Sequence, residues 1–75
     1  MKMANRDRIK RMLADDLKTL RDGEAVVGVE EMADAIEMVG PEYSSNAREI
    51  RAAQHDAARL ATEYAIVLMK LGRQT

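Results

Sequence analysis

The sequence predicts an all-α protein, a small three-helix domain with a long C-terminal helix. Three observations carry that expectation. Apolar residues recur at steps of three and four along most of the chain, the spacing of a buried helix face. Only one proline and four glycines interrupt a sequence rich in helix formers. There is no phenylalanine and no tryptophan, so a core must be built from Leu, Ile, Val, Met and Ala, which suit close helix–helix contact.

The first helix is expected over about 5–21. Asn5 offers an N-cap and Asp7 falls in the first turn, where a negative charge is favoured. Ile9, Leu13, Leu17 and Leu20 line one face with Met12 beside them, and Gly23 ends the helix. Arg11 and Asp15 stand four apart on the outer side, a spacing worth a few tenths of a kcal/mol, roughly. The stretch Glu24 to Val29 holds three valines and has no second strand to pair with, so it reads as a loop whose valines close the end of the core. The competing reading makes Val26 and Val27 an exposed patch that a partner covers.

The second helix is expected over 30–39. Val29, Met32, Ala33, Ile36 and Val39 form its apolar face, and Gly40-Pro41 stops it. Glu30, Asp34 and Glu37 form an acidic outer face, solvated or salt-bridged, that could also contact a basic surface on a target. One helix face supplies too few converging oxygens for a hard cation, so no metal site is expected.

The third helix is expected over 46–71. Asn46 and Glu49 have capping-box spacing, with Ser45 as a rival cap and Tyr43 either covering the helix start or exposed. Ile50, Ala53, Ala57, Leu60, Tyr64, Val67 and Leu71 make a continuous seam, widened by Ala61, Ala65 and Leu68. About 26 residues of helix extend close to 40 Å, more than two shorter helices cover. Part of the seam is therefore expected to be left for a second chain.

Seventy-five residues allow one domain, spanning 1–75. A core this small usually needs a disulfide, a metal or a partner. There is no cysteine and only one histidine, which leaves a partner chain or very good helix packing. Net charge is −1 but unevenly placed. Lys2, Arg6, Arg8, Lys10 and Arg11 crowd the start, while Glu24 to Glu42 carries only acidic charge. The two blocks can neutralise each other within the fold or across a dimer. The longest apolar run, Ala65 to Met69, is too short to span a bilayer, the start of the chain is charged rather than apolar, and a cytoplasmic protein is expected.

No phosphate loop, dinucleotide fingerprint, zinc-protease helix or calcium loop occurs, and no cofactor is expected. His55 has Arg51 and Arg59 one turn to either side and no carboxylate at helical spacing to orient it. The expectation is a protein that is not an enzyme. It is instead a small helical interaction module, an inhibitor, adaptor or assembly factor that binds or occludes a macromolecular partner, acts as a regulator and forms a homo-oligomer, a dimer first of all. Its composition points to an accessory protein of a phage or bacterium. The expected partner interface is Tyr64, Leu68, Leu71, Leu60, Ala57 and Ala61, with Val26 and Val27 as a second patch. The alternative is a dimeric helix-turn-helix-like DNA binder presenting Ser45, Asn46, Arg48 and Arg51 from the start of the third helix. The connection from Val39 to Asn46 is long for that motif, and an acidic first helix would repel the backbone it must cross.

Overall fold

The computed structural model describes residues 2–73 of the chain. It holds four α-helices: α1 (Lys2–Arg21), α2 (Val29–Val39), α3 (Ser44–Ala52) and α4 (Ala57–Arg73), with a 3-10 turn at Pro41–Tyr43. The all-α class holds. The three-helix expectation does not, because the long third helix is two helices.

The break has a local cause. Residues Ala53 to His55 form a turn, and Asp56 caps α4. The Asp56 carboxylate accepts from the Arg59 backbone N–H at 3.2 Å, and its carbonyl accepts from the Leu60 N–H at 2.8 Å. An aspartate at this position satisfies one of the orphan donors of a new helix. Glu49 and Arg59 then bridge the two helices at 2.8 Å. Glu49 is thus not the second half of a capping box. Asn46 lies inside α3, and its side-chain oxygen accepts from Lys70 at 3.0 Å.

Splitting that helix allows the chain to cover its own seam. Ile50, Ala53, Leu60, Tyr64, Val67 and Leu71 are all buried, joined by Ile9, Leu13, Leu17 and Leu20 of α1 and Val29, Met32, Ala33 and Ile36 of α2. Ala57 is the exception and is exposed. The radius of gyration is 11.3 Å, what a compact chain of this length has without help. The excess of uncovered stripe expected from a 40 Å helix does not arise.

α1 packs most extensively on α4, and α2 on α3, while α1 and α2 meet more sparsely. The α1 C-terminus closes in a Schellman arrangement, with the Gly23 N–H on the Leu20 carbonyl and the Glu24 N–H on Thr19, both at 3.0 Å. Gly23 takes φ 81° there, which other residues rarely adopt. α1 starts at Lys2, so Asn5 is inside the helix and does not cap it.

Tyr43 is fully buried. Lys70 of α4 lies 4.7 Å from the centre of its ring and donates to the Glu42 carbonyl at 2.7 Å. Those contacts tie the turn before α3 to the far end of α4. Arg6 closes the other side, donating to the Leu71 carbonyl at 3.3 Å.

Candidate interaction surface

α2 has three faces, and each meets a different environment. The middle stripe, Val29, Met32, Ala33 and Ile36, is core. On one flank Glu30, Asp34 and Glu37 face α3, where a single guanidinium gathers them. Arg51 donates to Asp34 at 2.6 Å and to Glu37 at 2.9 Å, and stands 3.4 Å from Glu30. Gln54 adds a bond to Glu30 at 2.9 Å. The hydrogen bonds from Glu37 and Asp34 push the Arg51 pKa above its ordinary value. Three carboxylates of the acidic block are thus met by Arg51 rather than by the basic start of the chain.

On the other flank α2 is only partly covered: Ala35 and Val39 pack in part on the core, while Glu31 and Met38 are exposed. Glu31, Ala35 and Met38 follow one another at steps of four and three, with Val39 beside them. They face Asn5, Arg8 and Met12 of α1, spaced at three and four, over a floor that includes Ile9. The two stripes enclose an open groove of about 410 Å³, with Arg6 also on its lining. Met38 is 86% exposed and Met12 45%, whereas Met32, on the same helix as Met38, is 2% exposed. Fully burying a methionine is worth about 1.5–3 kcal/mol. A scattered surface methionine is ordinary, but two flanking a concave apolar floor form a continuous patch, which is not. Methionine also adapts its shape to whatever is laid against it. From Glu31 to Val39 the groove runs about 12 Å, or two helical turns.

The residues expected to form an interface fall elsewhere. Tyr64, Leu60 and Leu71 are buried inside the single chain, and Leu68 and Ala61 are partly buried against the core. Ala57 is exposed at the start of α4. The two valines divide: Val26 packs on the core, and Val27 is 90% exposed. Of the four residues expected to meet DNA, Ser45 and Arg48 are exposed, Asn46 serves Lys70, and Arg51 is held by the three α2 carboxylates. No sequence signal singles out Met38. The groove depends on how α1 and α2 meet, and the periodicity of either helix is silent on that.

Burial shifts three further groups. Burial pushes the Tyr64 phenol up to about 12, with the nearby Asp16 charge adding to it, and the hydroxyl has no hydrogen-bond partner among the described residues. Asp16 is itself raised by burial and by Asp15. Burial likewise raises Tyr43, with Arg6 opposing and Glu42 adding. His55 is exposed in the turn before α4, beside a depression of about 200 Å³ lined by Leu20, Val26 and Leu60. Among the described residues no cluster of three metal-ligating side chains occurs, and no helix is long and apolar enough to cross a membrane. The chain matches no family model, no curated protein and no solved structure.

Proposed function

We propose that this protein is a small protein–protein interaction module, an inhibitor, adaptor or assembly factor, whose working surface is the groove between α1 and α2. The observation that carries the reading is Met38, almost wholly exposed on a helix whose other two faces are satisfied within the chain. Together with Met12 it borders a concave apolar floor two turns long, a shape that takes a helix or short apolar segment of a partner. Binding there would act by occlusion or bridging and needs no chemistry from the groove. The reading keeps the cytoplasmic setting expected from the charged start and the short apolar runs, and replaces the seam of α4 as the contact surface.

DNA binding is supported less well. Arg51 sits among carboxylates that would meet any phosphate brought to it. The test of the interaction reading is capture of protein partners by the wild type and by a Met12→Glu, Met38→Glu double variant of unchanged helicity. Loss of a captured protein with the double variant is expected. Equal capture by both forms, or sensitivity to Arg48→Ala instead, contradicts the reading.

A further inference from the structure

The groove has walls of opposite sign. Arg8 stands exposed on the α1 wall and Glu31 on the α2 wall. Neither belongs to the ion pairs found among the described residues, which involve Arg51 and Arg59. The remaining α2 carboxylates, Glu30, Asp34 and Glu37, belong to the Arg51 cluster on the far flank. Glu31 is therefore the acidic group that α2 offers to the groove. A uniformly acidic occupant would be repelled by Glu31 and a uniformly basic one by Arg8. An occupant with both signs, in the same arrangement, fits.

We infer that the occupant is a second copy of this chain, docked groove to groove about a two-fold axis that runs along the groove. This rests on the interaction reading above and names its partner. Rotation about that axis lays α1 of each copy over α2 of the other. Arg8 then faces the acidic wall of the partner and Glu31 the basic wall, so the pairing occurs twice. Met12 and Met38, one on each wall, are then covered by the opposite wall of the partner. Such an interface is self-complementary and closes at two, so it leaves no free groove to propagate a filament.

The experiment is sedimentation velocity on the full chain over a hundredfold concentration range, with helicity checked by circular dichroism. The wild type is expected to form dimers. Arg8→Glu and Glu31→Arg should each weaken self-association about tenfold, because each homodimer then brings like charges together twice. An equimolar mixture of the two single variants should recover wild-type affinity. In that mixed dimer every wall again meets its opposite, a rescue that pairing within one chain cannot produce. Met38→Glu, an independent probe on an exposed side chain, should abolish the dimer without loss of helicity. A wild type that stays monomeric throughout overturns the inference, as does a mixture no tighter than its components. If the wild type is monomeric while Met12→Glu, Met38→Glu still removes a captured protein, the second copy is refuted and the interaction reading stands. If neither effect appears, both are refuted.

Discussion

The two flanks of α2 share eleven residues of backbone and have opposite fates. One carries Glu30, Asp34 and Glu37 and is closed by Arg51 from α3. The other carries Met38, exposed beside the half-buried Ala35 and Val39, and opens on a groove against α1. The charged flank, which looks like the solvent-facing side, is the one that has a partner inside the chain. The flank with methionine, which would be expected to pack, is the one that lacks it. Polarity alone does not say which side of a short helix is covered; the placement of the next helix does.

The largest effect should come from the stripe that both flanks share. Ile36 is fully buried, and Ile36→Ala is expected to cost about 3 kcal/mol in urea unfolding. A loss below about 1 kcal/mol would mean that α2 is not seated on the core as described. Next comes a control away from α2. The Tyr64 phenol is raised to about 12 by burial, so between pH 10 and about 12 the unfolded chain ionises it while the folded chain does not. The unfolded state then binds fewer protons, and stability must fall as pH rises through that window, by ~1.4 kcal/mol per pH unit. Below pH 10 this contribution is fully present. Tyr64→Phe should remove much of that slope, with buried Tyr43 retaining a share. At neutral pH it should leave stability unchanged or higher, since the hydroxyl is unpartnered among the described residues.

Smaller effects separate the flanks themselves. Asp56→Ala removes the cap that starts α4 and should cost about 1 kcal/mol, and an unchanged midpoint would count against the break. Arg51→Ala leaves Glu30, Asp34 and Glu37 facing one another, so a modest loss of stability is expected that is larger at low salt than at high salt. A loss indifferent to salt would point to packing rather than charge. At dilutions where the chain is monomeric, Met38→Glu should leave thermal stability within about 0.5 kcal/mol, because that side chain is 86% exposed in the single chain. It should change association only.

Much of the fold is legible in the residues. The core stripes of α1 and α2 and the stops at Gly23 and Gly40-Pro41 follow from spacing and turn chemistry. The break at Ala53–Asp56 is hidden because Ala53 and Ala57 stand four apart and continue the seam across it. A signal is nevertheless present: Gln54-His55-Asp56 is a polar run that includes two weak helix formers, and Asp56 is a good N-cap three residues before the N–H it accepts. Without that cap, a seam buried within the chain reads as a surplus and Tyr64 reads as an anchor. The groove is less accessible. Met12 is visible as a flanking residue, but Met38 gains meaning only when Glu30, Asp34 and Glu37 turn to α3 and leave its flank unclaimed.

A second chain seated between α1 and α2 should be felt first by the methionines. Methyl NMR of these residues across a hundredfold dilution reads that contact, since Met12, Met32, Met38 and Met69 report on the groove, the core and the outer face of α4. Docking through the groove predicts that the Met12 and Met38 methyl signals move with concentration while Met32 and Met69 hold still. Movement confined to Met69, or no movement at all, would contradict it.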